Sequence, residues 1–165
     1  MLLIWWMMKE FTHFDEHGAS RMVNVGGKEP SQRIARAAAS VKMLPETLEK
    51  ITNTDLKKGN VLEVARLAGI MATKHTGNLI PLCHPIGIDG VEVDFSIQQP
   101  DTIRIQATVT VFARTGVEME AMMAVTIAGL TIYDMCKAVD RAMELTDVRL
   151  LKKSGGKTGE FVRAE

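Results

Sequence analysis

The sequence is short of cysteine, carries no net charge and lacks an apolar run long enough to cross a bilayer, and each shortage removes a class of protein. Two cysteines, Cys83 and Cys136, stand far apart and do not have the close spacing of a metal-binding pair. A disulfide framework is therefore excluded as the organising principle, and a reducing cytoplasm suits the chain better. Lysine plus arginine number 20, as do aspartate plus glutamate, so no overall field exists to hold nucleic acid or an acidic membrane. An anionic ligand must instead be held by a local basic cluster. The opening Met1 to Met8, MLLIWWMM, is apolar, but a bilayer span needs about 20 such residues and a signal peptide starts with basic ones. Residues 1–10 are read as an apolar extension and 11–165 as a single domain. No repeat, low-complexity tract or Gly/Ser linker divides that stretch. With 46% hydrophobic residues, a chain of 165 can build one ordinary core.

The local patterns alternate between strand and helix. Met22 to Val25 reads as a short strand. Arg33 to Met43 places Ala35, Ala37, Ala39, Val41 and Met43 on one face, although so many alanines equally allow a helix. Pro45 and the acidic run after it open a short helix. A second begins at an Asn60 cap, carries Val61, Val64, Ala65 and Ala68 at helical spacing, and ends before Gly77 and Pro81. Val91, Val93, Phe95 and Ile97, a QQPD turn, then Ile103 to Val111 form a hairpin with one buried face. A long helix runs from after Gly116 to about Arg141, with no charge between Ala121 and Tyr133. Such a segment is buried all round, beneath the sheet and against another subunit. Val148 to Leu151 is a last strand before a polar tail. The order predicts an α+β sandwich of ferredoxin-like type, an antiparallel sheet with helices on one face. Its bare face calls for a second copy of the chain, hence a homo-oligomer.

Four features carry chemistry, each with an ordinary alternative. LIPLCHP, Leu79 to Pro85, presents Cys83 and His84 on a loop stiffened by two prolines; a histidine there also serves as a plain hydrogen-bonding residue. Glu118 and Glu120 open the long helix, where the dipole favours acids in any protein, yet one of them can face a ligand rich in donors. Asp134 and Lys137 share a helix face as a surface pair would, but the uncharged stretch before them suggests desolvation and shifted pKa values. KKSGGKTG, Lys152 to Gly159, has residue Leu151 where a P-loop needs glycine, so that reading fails. What remains is a mobile basic loop that closes on phosphate through Lys153 and Lys157, or a disordered tail. Lys57 and Lys58 add charge before the second helix. Together these supply acid and base groups, phosphate-binding charge and ring-recognising carboxylates, the needs of a phosphorylated heterocycle.

LIPLCHP, FARTGVEMEA, LTIYDMCKA and VRLLKKSGGKTG, in this order, resemble the signature segments of the cyclic pyranopterin monophosphate synthase family of molybdenum cofactor biosynthesis. The resemblance runs from about Phe11 to the C-terminus. It implies a ferredoxin-like fold, a strand at Arg33 to Met43, and a cytoplasmic hexamer built as three dimers. It also implies a lyase activity that converts 3′,8-cyclo-7,8-dihydroguanosine 5′-triphosphate into cyclic pyranopterin monophosphate and diphosphate. Matched by motif, Asp134 is the catalytic aspartate and Lys137 its partner lysine. Leu82, Cys83 and His84 match one substrate-binding segment, Met119 and Glu120 the other. Lys58, Lys153 and Arg33 match basic residues of the same pocket. No cofactor is required on this reading. Magnesium can assist the leaving diphosphate, though the sequence shows no carboxylate cage for it.

Overall fold

The computed structural model describes residues 12–53, 60–157 and 159–164. Its elements in chain order are β1 (Ser31–Lys42), α1 (Pro45–Thr52), α2 (Val61–Thr73), α3 (Thr76–Leu79), β2 (Gly90–Gln98), β3 (Thr102–Ala113), α4 (Glu118–Cys136), β4 (Glu144–Ser154) and β5 (Phe161–Val162). The strands form one antiparallel sheet in the order β2-β3-β1-β4-β5. Setting aside the two-residue β5, this is the strand order of a ferredoxin-like sandwich, with β1 and β3 central.

The alanine-rich segment is strand because of its neighbours. β1 pairs along its whole length with β3, from Ser31 opposite Ala113 to Lys42 opposite Thr102, and its other edge pairs with β4. Tertiary pairing outweighs alanine's helix propensity. Ala35, Ala37 and Ala39 are fully buried under α4, beside Ile103, Ile105 and Val109 of β3. Small side chains on β1 let the helix lie close, so the bulk of the core comes from β3 and from Val125 and Ile132 of α4. Truncating Ile105 to alanine would cost about 2–5 kcal/mol, the usual penalty for an unfilled core site. α2 covers α4 and the β2 side of the sheet. Their approach is set by Gly69, where an added Cβ would lie 2.9 Å from the Ala124 carbonyl oxygen.

Local signals hold at the helix starts. Asn60 caps α2, its side chain accepting from the N–H groups of Leu62 and Glu63 at 3.0 and 3.2 Å, and Pro45 opens α1. Three expectations change. Met22 to Val25 belongs to no strand. α4 stops at Cys136 instead of near Arg141, because the buried Asp140 carboxylate accepts from Leu44 N–H at 2.8 Å and Ala142 N–H at 3.0 Å. Those bonds turn the chain toward β1 in place of another helical turn. β4 begins at Glu144 and includes Lys152 to Ser154, and Phe161 pairs back onto Lys153, so the basic tail starts in a strand and returns to it.

The far face of the sheet is polar. Arg36, Arg104, Gln106, Thr108 and Ser96 occupy it, and an antiparallel sheet tolerates water on such a face. Phe112, 63% exposed, is apolar on that face, and further exposed apolar side chains sit in the helix layer, Val64, Leu67 and Met71 on α2 and Leu130 and Met135 on α4. Within one chain, Leu130 and Met135 leave part of α4 uncovered. It is long and apolar enough to cross a membrane by length and composition, but it packs on the sheet as the core helix, with Ala121, Ala124, Val125, Ala128 and Ile132 fully buried.

Candidate active site

Two cavities meet at the junction of β1, β3, β4 and the start of α4. The first, about 630 Å³, is walled by Lys28, Arg33, Arg114, Glu118, Lys153 and Lys157. The second, about 370 Å³, is lined by Leu82, Cys83, His84, Met119, Glu120 and His13. Both include Lys28, Thr115, Gly116 and Glu118, so they are adjoining lobes of one depression. Their sizes span those of ordinary small-molecule sites.

The basic lobe is built from strand ends. Arg33, on β1, lies across the end of β3, its Nε donating to the Ala113 carbonyl at 3.3 Å and Nη2 to that of Arg114 at 3.4 Å. Its guanidinium passes beneath the tail, where any Cβ on Gly156 would collide with it. Gly155 and Gly156 also have φ of +98° and +74°, a left-handed region open to glycine. Lys153 Nζ donates to Glu118 Oε1 at 2.8 Å, both side chains about one third exposed. That ion pair stands at the rim between the lobes.

The second lobe is less polar and more enclosed. Glu120 is 4% exposed. Burial raises its pKa, the neighbouring Glu118 charge adds to the rise, and a bond to its own backbone N–H opposes it. Burial, with the Glu120 charge, also raises the Cys83 pKa. Cys83 is therefore held as a thiol, a poor nucleophile and a weak hydrogen-bonding partner. The pattern suits recognition of a ring that offers N–H donors to Glu120, and it does not suit covalent catalysis by the cysteine.

Asp134 and Lys137 are elsewhere. Lys137 Nζ donates to Asp134 Oδ1 at 2.7 Å, but the side chains are 57% and 69% exposed. The expected desolvation is absent within one chain. Lys137 has a raised pKa because Asp134 accepts its hydrogen bond and attracts its charge, so the ammonium form is favoured. Asp134 lies sixteen residues beyond Glu118 on α4, about 24 Å along the axis at 1.5 Å per residue. The structure thus brings together Leu82, Cys83, His84, Glu118, Met119, Glu120, Arg33, Lys153 and Lys157, and leaves the Asp134 and Lys137 pair outside. Lys58 lies outside the described residues.

Residues 22–156 match the family model described as the MoaC family. The chain belongs to the MoaC family. A relative from Desulfitobacterium hafniense named cyclic pyranopterin monophosphate synthase is 53% identical over 156 residues, covering 94% of this chain and 96% of the relative. One from Mycobacterium tuberculosis named cyclic pyranopterin monophosphate synthase 3 is 57% identical over 152 residues, covering 92% and 86%. Motif reading of this MoaC-family chain missed His13, Lys28 and Arg114. Lys28 follows Gly26 and Gly27 in a turn closed by its own N–H on the Val25 carbonyl at 3.0 Å, a pattern that marks a turn but not a ligand. Arg114 directly precedes the TGVEME run and was within reach of that motif. Among the described residues no group of three or more His, Cys, Asp or Glu is placed to hold a metal ion.

Proposed function

We propose that the chain is a cyclic pyranopterin monophosphate synthase acting on 3′,8-cyclo-7,8-dihydroguanosine 5′-triphosphate in the cytoplasm. The observation that carries this reading is the pairing of two unlike lobes, a basic one of about 630 Å³ against a more enclosed one with a buried carboxylate. A triphosphate on a purine-derived ring has the same two halves. Arg33, Lys153 and Lys157 hold the phosphates through charge-assisted hydrogen bonds, joined by Lys28 and Arg114. Glu120 accepts from ring N–H groups, with Leu82, Cys83, His84 and Met119 forming the rest of the ring's enclosure.

The reaction opens and recloses rings, then closes a cyclic phosphate. In that last step a sugar hydroxyl oxygen bonds to the innermost phosphorus, the bond from that phosphorus to diphosphate breaks, and the hydroxyl proton passes to a base. We assign proton transfer to Asp134 and Lys137, since an acid and an amine in contact can exchange protons as bonds shift, and count Lys58 with them as a catalytic residue by its motif. The cationic wall stabilises the charge on departing diphosphate. Magnesium enters, where present, as a counter-ion of the triphosphate.

About 24 Å of helix separates Asp134 from the Glu118 lobe of its own chain, so a complete site takes the pair from a second copy. The exposed apolar side chains near it, Leu130 and Met135, support a contact between copies there, and a hexamer of three dimers is the assembly we propose. The activity is tested by incubating pure protein with GTP and with the cyclised substrate. A fluorescent pterin after oxidation from the second alone is the expected result. Nucleotide hydrolysis without a pterin would replace this reading with that of a phosphohydrolase.

A further inference from the structure

Five cationic side chains, Lys28, Arg33, Arg114, Lys153 and Lys157, line the basic lobe. Among the described residues, Lys153 alone of the five is held by a carboxylate, that of Glu118, whose Oε1 accepts from its Nζ at 2.8 Å. Lys153 lies near the end of β4 and Glu118 opens α4, thirty-five residues earlier, so the contact is made by the fold and not by chain proximity. Gly116 leaves room for the carboxylate, because a Cβ there would collide with it. Glu118 also lines the second lobe, and its charge therefore stands where the two lobes meet.

A carboxylate is out of keeping with a wall that otherwise gathers positive charge. The helix dipole accounts for an acid in the first turn of α4, but not for one bonded to a lysine of the anion-binding lobe. The carboxylate oxygen makes the same kind of charge-assisted bond to the ammonium that a phosphate oxygen would make. An ammonium has three donors, yet two anions gathered on one ammonium repel each other. A phosphate chain that uses Lys153 must therefore weaken or break the pair with Glu118.

We propose that Glu118 is a positioning residue that acts through Lys153: it holds the ammonium in the empty site, yields it to the phosphate chain, and takes it back as diphosphate leaves. The proposal rests on the reading that the basic lobe takes the phosphates. Glu118 then works as an internal counter-anion. It loosens the hold of the lobe on free diphosphate, so that the product does not block the site.

Calorimetric titration with inorganic diphosphate, at one salt concentration, of wild type, Glu118→Gln, Lys153→Met and the double variant tests this. Glutamine keeps the shape and removes the charge. Glu118→Gln should bind diphosphate about 5- to 10-fold more tightly than wild type, less than a fully buried charged pair would give because both side chains are about one third exposed. In the Lys153→Met background the same substitution should change affinity by less than about twofold, since no ammonium is left to compete for. Damage to the fold would weaken binding, so a gain cannot come from a merely structural role. The proposal is overturned if Glu118→Gln binds diphosphate no more tightly than wild type. It is also overturned if the gain is as large without Lys153, which would make Glu118 a repelling charge and nothing more. Wild-type affinity in Lys153→Met would take the phosphates out of the basic lobe and sink both readings, whereas weakened binding there with no gain in Glu118→Gln sinks the role of Glu118 alone.

Discussion

The two ends of α4 carry the same chemical pair in opposite surroundings. At its start Glu118 meets Lys153 at 2.8 Å and Glu120 is buried beside it, while at its end Asp134 meets Lys137 at 2.7 Å in open solvent. The first pair belongs to a depression that its own chain builds from β1, β3 and β4. The second is presented outward among exposed apolar side chains. Contact geometry is thus no guide to role. A carboxylate and an amine at hydrogen-bond distance line a cavity at one end and, within one chain, form a solvated surface pair at the other.

Asp134→Asn is the sharpest way to test that difference. Removing the proton-carrying group while keeping its shape should lower turnover by roughly 10²- to 10⁴-fold, and the melting temperature should stay put because exposed pairs contribute little. A variant with full turnover would make the outward pair a surface ornament. At the other end, Lys153→Met should weaken inorganic diphosphate about 10- to 100-fold in direct titration, since a hydrogen bond to a charged group is worth about 1.5–3 kcal/mol. Unchanged affinity would move the phosphates out of the basic lobe.

Mixing folded Asp134→Asn with Lys153→Met, and letting subunits exchange, asks whether the two ends meet across copies. Random pairing in a two-fold dimer leaves about one pocket in four with both residues intact, and activity should return to that share. No recovery after proven exchange would place both ends in service of one chain. The smallest effect is expected from Glu120→Gln. Its carboxyl has a raised pKa in the fold, so it favours folding at pH below the usual carboxylate range, and that advantage is lost as pH climbs through the raised value. Glutamine should therefore raise the melting temperature near pH 7 and leave it unchanged at pH 4 or below. A gain of equal size at both would show that ionisation is not the cause.

Local chemistry made much of this legible from the sequence. The Asn60 cap, Pro45 and the alternation of Ile103 to Val111 are written in adjacent residues, and each element stands where those signals put it. The alanines of β1 were ambiguous because alanine reports little about its partners; only pairing with β3 and β4 decides them. The end of α4 was hidden because Asp140 acts through Leu44, ninety-six residues away. In the site, the motif segments LCH and EME line one lobe, and each was visible in the sequence because it is contiguous. Within one chain Asp134 is exposed despite the apolar turn before it, as burial depends on which surface covers a helix turn and not on how apolar the preceding turn is. His13 and Lys28 escaped because their meaning arises only where separate segments fold into one wall.

The glycine pair of the tail has a last consequence. Ser154 to Lys157 has the look of a phosphate-cradling loop, yet its glycines also answer to a side chain far away in sequence, because Arg33 fills the space a Cβ at 156 would need. A long arginine swings aside at small cost, so the collision at 156 is the weaker demand and the positive φ the firmer one. A smaller residue at 33 relieves the collision but not the positive φ, which still costs about 1–2 kcal/mol with any side chain. Arg33→Ala should rescue Gly156→Ala only in part, leaving glycine as the sole residue that meets both demands.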